Sequence, residues 1–119
     1  MKNLIACPAE RAVYFLGGKW KIRILFSLLQ SKKIRFGELK KGLKTITQQM
    51  LSKQLKELEV DGIVNRKVYQ VVPPKVEYSL TEFGLSVMPI LKSFSEWNKR
   101  NTRTIAVKLN KNFEENRIT

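Results

Sequence analysis

In the stretch TQQMLSKQLKELEVDGIV, residues 47–64, Gln49, Ser52, Lys53 and Lys56 stand at i, i+3, i+4 and i+7. On a helix these four share one face, while Leu51, Leu55 and Leu58 fall at i, i+4 and i+7 on the other. The major groove of B-DNA admits one α-helix, and the base edges there distinguish the four base pairs. Glutamine can pair with adenine through two hydrogen bonds, and lysine reaches guanine or a phosphate. Base contacts usually come from the N-terminal part of such a helix. Gln48, Gln49 and Ser52 are therefore expected to read bases, Lys53 to reach guanine or a phosphate, and Lys56 to touch the backbone. Taken alone, Gln, Ser and Lys on an outer face describe almost any exposed helix. The flanking sequence carries the argument.

Directly after this helix comes NRKVYQVVPPKVEYSL, residues 65–80. Ile63–Tyr69 and Val76–Leu80 are rich in β-branched and aromatic residues, and Pro73-Pro74 between them cannot belong to a central strand. The expectation is a β-hairpin whose proline-stiffened tip is flanked by basic residues. Between Lys19 and Lys56 eleven Lys or Arg stand against one acid, Glu38, whereas from Glu57 to Lys75 three acids balance three bases. A concentrated positive field recruits phosphate by releasing counterions, and the chain as a whole carries +13. Mere solubility would not need the imbalance to gather beside a candidate reading helix. Phosphate contacts orient a reading helix without carrying sequence information; Arg35, Lys44, Lys67 and Lys75 are the candidates.

Other chemistry is thinly supplied. There is no histidine and one cysteine, Cys7, which excludes an ordinary His/Cys zinc site and any Ser-His or Cys-His pair within one chain. A lone thiol makes no intrachain disulfide. Glu57, Glu59 and Asp61 could hold a divalent ion if they met, but the first and third point to different sides of one helix end and read as solvated charges. No enzyme, metal or cofactor is expected. Leu4-Ile5-Ala6-Cys7 looks like the end of a lipoprotein signal, yet the apolar stretch of roughly 7–15 residues that a signal needs is missing. No run approaches the ~18 apolar residues of a membrane span. A cytoplasmic protein without membrane contact is expected.

At 119 residues the chain suits one core and a single domain. A short helix is expected at about 9–16, stopped by Gly17-Gly18, and a second from Lys19 to Gln30. In the second, Trp20, Ile24, Leu25, Leu28 and Leu29 follow helical spacing, with Lys21 and Arg23 off that stripe. Lys33-Ile34-Arg35 reads as extended. Phe36–Leu43 is a brief helix with Leu39 and Leu43 inward, so a helix-turn-helix spans about 36–61. Thr47 is its second N-cap, and Gly62 closes the reading helix in a left-handed conformation. The wing covers about 63–80. Thr81 caps a long helix at about 81–101 whose stripe includes Val87, Leu91, Phe94 and Trp97. Pro89 inside it should cost about 3 kcal/mol or force a kink. Residues 102–119 either extend the helix or fray. The fold class is mainly α with a small β-hairpin (α+β).

From Cys7 to Trp97 the chain resembles the HxlR-type winged helix-turn-helix regulators of bacteria, relatives of the MarR group. CPAERAVYFLGGKWKIRIL, RFGELKKGL, ITQQMLSKQLKELEVDGIV and VYQVVPPKVEYSLTEFG carry the resemblance. It implies a winged helix-turn-helix with extra N- and C-terminal dimerisation helices. It also implies a homodimer on the two half-sites of an inverted-repeat operator in double-stranded DNA, with wings along the flanking minor grooves. The Thr47-to-Lys56 helix and the wing around Lys67 to Lys75 match the DNA-contacting elements. Independently, Leu91, Phe94 and Trp97 give the last helix more apolar surface than one small core needs; the helix either dimerises or packs back on its own domain. A C2 dimer would set the reading helices about one turn apart, ~34 Å.

Several members of that family sense oxidants, electrophiles or aldehydes through a cysteine just before the first helix, and Cys7-Pro8 matches its position. A thiol near a helix N-terminus and a base such as Arg11 has its thiolate favoured. The alternative is a small apolar residue packed against dimer helices. A small-molecule or oxidant effector is compatible with the first reading. A regulator with no separate activation domain more readily blocks polymerase, so repression is expected; the alternative function is a winged-helix module for protein or RNA contacts.

Overall fold

The computed structural model describes residues 7–118, with side chains through residue 111. The Leu4-Ile5-Ala6 stretch and the last residue of the tail lie outside the described residues. The chain forms two compact units, Met1–Met88 and Pro89–Thr119.

In the first unit, α1 runs Pro8–Leu16 with the proline in its first turn, where its missing N–H costs nothing. It ends at Gly17, and Gly18 follows at φ +103°. Helix α2, Lys21–Gln30, buries Ile24, Leu25 and Leu28. It also buries Lys21, which the hydrophobic pattern had put off the inner stripe. The correction has a physical cause: the Lys21 ammonium donates to Glu57 Oε1 at 3.2 Å, so its stem is covered while its charge is matched. Glu57 is thereby engaged rather than a free helix-end charge. Trp20 carries the Lys19 ammonium 5.0 Å and the Arg23 guanidinium 4.7 Å from its ring centre.

Strand β1, Lys33–Arg35, leads into α3, Phe36–Leu43, which buries Leu39 and Leu43. Helix α4, Gln48–Val60, buries Leu51, Leu55 and Leu58 almost completely. The Thr47 hydroxyl accepts from the Met50 N–H at 3.1 Å, the expected N-cap. At the other end the Ile63 N–H reaches Leu58 O (2.9 Å) and the Gly62 N–H reaches Glu59 O (3.0 Å), with Gly62 at φ +74°. That pair of bonds is the Schellman closure, sealed by the buried pair Leu58 and Ile63.

Strands β2, Val64–Tyr69, and β3, Lys75–Leu80, form the hairpin around Pro73-Pro74. β1 pairs antiparallel with β3, so the sheet has three strands in the order β1-β3-β2. Val64 and Tyr78 face the helices and are buried.

The expected continuous helix at about 81–101 is broken. Helix α5, Glu82–Leu85, is one turn long, and α6 begins afresh and runs Met88–Arg100. Pro89 explains the break: it sits in the first turn of α6, where its ring and missing N–H are tolerated, rather than in an interior. Thr81 is the cap of α5, its hydroxyl accepting from the Gly84 N–H at 2.9 Å and bonded to Gly62 O at 2.6 Å. The second unit holds α6 and then α7, Thr102–Ile118, joined at Asn101. The residues beyond 102 therefore continue as helix. No helix among the described residues is long and apolar enough to cross a membrane.

Candidate nucleic-acid interface

Because Leu51, Leu55 and Leu58 take the inner side of α4, the opposite side has to face out. Gln48, Gln49, Ser52, Lys53 and Lys56 are all exposed. The helix is held at two places: its N-terminus by the Thr47 cap and one flank by the Lys21–Glu57 ion pair. These two contacts restrain where the helix starts and one of its flanks.

The turn before it is tight. The Thr45 N–H reaches back to Leu43 O at 2.8 Å, and Lys44 between them has φ +63°, ψ −75°. This is a γ-turn of the strained hand, unusual for a residue with a side chain. It lifts the exposed Lys44 at the point where the chain reverses into α4. Arg23 Nη2 donates to Leu43 O at 3.4 Å, tying α2 to the end of α3.

The wing candidates share one face of the sheet. Strand periodicity and register place Arg35 opposite Glu77 and Glu77 opposite Lys67, with Lys75 opposite Tyr69. The ammonium groups of Lys67 and Lys75 lie 4.9 and 4.8 Å from the Tyr69 ring centre. Lys75 also pairs with Glu77 at 3.5 Å. The Tyr69 hydroxyl first, then Lys75 and Lys33, hold the Glu77 carboxyl below its ordinary pKa against the opposing effect of desolvation. One acid and one aromatic ring thus gather a group of bases on the outer sheet face. Arg35 is exposed at the N-cap of α3. Thr47 is exposed too, with its oxygen engaged in the cap.

Arg66 was not among the sequence candidates. Its alternation with Lys67 puts it on the opposite, helix-facing side of β2, across from Tyr78. There it lines a cleft with Ser52, Lys56, Glu59 and Tyr78. The signal was present in NRKVY, where neighbours on a strand must point to opposite faces, but which face met α4 was not.

The remaining candidates belong to other elements. Cys7 is exposed at the N-cap of α1, where its carbonyl accepts from the Arg11 N–H at 3.2 Å. In the second unit Leu91 is buried, whereas Phe94 and Trp97 are 52% and 57% exposed.

A helix-turn-helix with an outward polar helix, followed by a basic β-hairpin wing, defines a winged helix-turn-helix, DNA-binding regulator of transcription. The profile described as HxlR-like helix-turn-helix matches residues 15–106, and the chain belongs to that family. It is 50% identical over 99 residues to YybR of Bacillus subtilis, named an uncharacterized HTH-type transcriptional regulator; the match covers 83% of this chain and 78% of the relative. Among solved structures, the redox regulator HypR in its reduced form superposes with TM-score 0.80 at 46% identity, covering 85% of this chain and 99% of that one. The reduced form of the transcriptional regulator YodB from B. subtilis gives TM-score 0.71 at 35% identity, covering 81% and 94%.

Proposed function

We propose that this chain is a homodimeric repressor that reads an inverted-repeat operator in double-stranded DNA. The observation that carries the proposal is the division of α4: a fully buried leucine stripe, and opposite it an exposed face of Gln48, Gln49, Ser52, Lys53 and Lys56. Gln48, Gln49 and Ser52 read base edges, Lys53 reaches guanine or a phosphate, and Lys56 grips the backbone. Arg35, Lys44, Thr47, Lys67 and Lys75 hold phosphates. The exposed Phe94 and Trp97 are the dimer contacts, on a stripe whose third member, Leu91, is already buried in the single chain. Repression follows from occupancy: a bound dimer excludes polymerase from the promoter.

Cys7 is the proposed sensor. Its support is the exposed thiol at the start of α1 and the similarity to a redox regulator. With one cysteine per chain, oxidation to a disulfide joins two subunits, or Cys7 and a small thiol. In either case two thiols lose their protons and two electrons pass to the oxidant.

Selection from a random duplex library with reduced protein tests the reading. Enrichment of an inverted repeat with half-sites about one turn apart is expected. Affinity for that repeat should then change on oxidation in the native chain and stay constant in Cys7→Ser. Binding that enriches no sequence and vanishes in moderate salt would instead mean that the basic face grips phosphate without reading.

A further inference from the structure

The cleft between α4 and the sheet has a composition of its own. Ser52, Lys56 and Glu59 enter it from one side of α4, Arg66 from β2 and Tyr78 from β3, around about 390 Å³ of open space. Arg66 and Tyr78 are cross-strand partners, so their positions are set by the ladder rather than by a flexible loop. Among the described residues the ion pairs are Lys21–Glu57 and Lys75–Glu77, and neither engages Lys56 or Arg66. Two cations therefore share the cleft with one carboxylate and two hydroxyls.

We propose that this cleft holds one phosphodiester of the bound DNA, with Arg66 as its main ligand. The inference rests on the reading that α4 lies in a DNA groove, and it assigns to a single site what that reading leaves as a diffuse basic surface. A guanidinium presents parallel N–H donors that match the two non-bridging oxygens of a phosphate. Lys56 adds a point charge, and the Tyr78 hydroxyl can donate to the same oxygens, while Ser52 stays at the rim of the cleft, free for a base edge. Two cations against the Glu59 carboxylate leave a single surplus positive charge. That suits the one negative charge of a diester better than a dianionic free phosphate. The ligands come from the reading helix and from both wing strands. A phosphate held here therefore fixes how deep α4 sits relative to the wing, which surface lysines acting singly could not do.

The test uses the full chain and the duplex it enriches from a random library. Arg66→Gln, at an exposed position, should melt like the native protein, lose about tenfold or more in affinity, and lower the salt slope by about one. Arg66→Lys should recover part of the loss. Methylphosphonate scanning should find one phosphate per half-site whose neutralisation weakens the native chain but adds nothing to Arg66→Gln. Native affinity and slope in Arg66→Gln would overturn the phosphate site while leaving the DNA reading intact. Equal losses at every scanned phosphate would overturn it too. So would binding of inorganic phosphate that depends on Arg66 while duplex affinity does not. If the native chain enriches no duplex, the DNA reading fails first and this site with it.

Discussion

The Lys21 ammonium lies 3.2 Å from Glu57 Oε1, and the lysine is only 7% exposed. This contact ties α2 to one flank of α4 through a partly covered ion pair. The two partners are unequal, since the Glu57 side chain keeps 42% of its exposure.

That asymmetry sets the outcome of mutation. Glu57→Gln leaves a covered ammonium without its anion and should cost about 1–2 kcal/mol, discounted for the exposure of the carboxylate. Lys21→Met removes the charge and keeps the stem, so it should cost less than Glu57→Gln. Urea unfolding midpoints at fixed m-value compare the two; equal losses would show that a covered ammonium without its anion carries no penalty beyond loss of the pair.

Gly84 meets the first residues after α4. A Cβ there would run into the Ile63 carbonyl and touch Leu80, so α5 must lack a side chain where it crosses the start of the sheet. Gly84→Ala is expected to destabilise by about 1–3 kcal/mol, as overpacking does in a tight core. A thermal melt unchanged from the native chain would mean that α5 shifts freely.

Lys44 combines a strained backbone with a candidate phosphate contact. Lys44→Gly should relieve strain, which runs to about 1–3 kcal/mol at such positions, and give back part of it as backbone entropy. The expected net result is higher stability by up to about 1 kcal/mol together with weaker DNA binding. Chemical denaturation and a duplex titration on the same variant separate the two effects. Lower stability in the variant would remove the strain account.

Gln49→Ala should relax preference at one position of each half-site and leave the others as they were. Lys67→Ala should weaken all sequences alike and reduce the salt slope by about one. Repeating the library selection with each variant is the check; unchanged preference in Gln49→Ala would take this residue off the reading face.

Glu77 supplies a pH dependence. Its folded-state pKa is lowered, chiefly by Tyr69 and then by Lys75 and Lys33. Its contribution is therefore present above the ordinary carboxylate pKa, about 4.3 for Glu, and is lost as pH falls through the lowered value. Thermal midpoints followed from pH 6 downward, roughly through that range, should fall less steeply for Glu77→Gln than for the native chain. Parallel curves would show that the wing carboxylate is not coupled to folding.

Local chemistry determined most of the helix-turn-helix from the sequence alone. Thr47, the Leu51–Leu55–Leu58 stripe and Gly62 each act on neighbours within a few residues, so the boundaries and outward face of α4 were legible. Pro73-Pro74 marked the wing for the same reason. Distance in sequence hid the rest. Lys21 looked like an outer residue because its partner Glu57 is 36 positions away. Arg66 looked no different from Lys67 because strand alternation gives two faces without saying which one meets a helix. β1 became a sheet strand only by pairing with β3. Pro89 signalled a break, but whether the helix would kink or start again depended on Thr81 capping a separate turn against Gly62 and Gly84. Propensity and periodicity are short-range properties and specify elements. Pairing of charges, strands and faces is long-range, and only tertiary structure decides it.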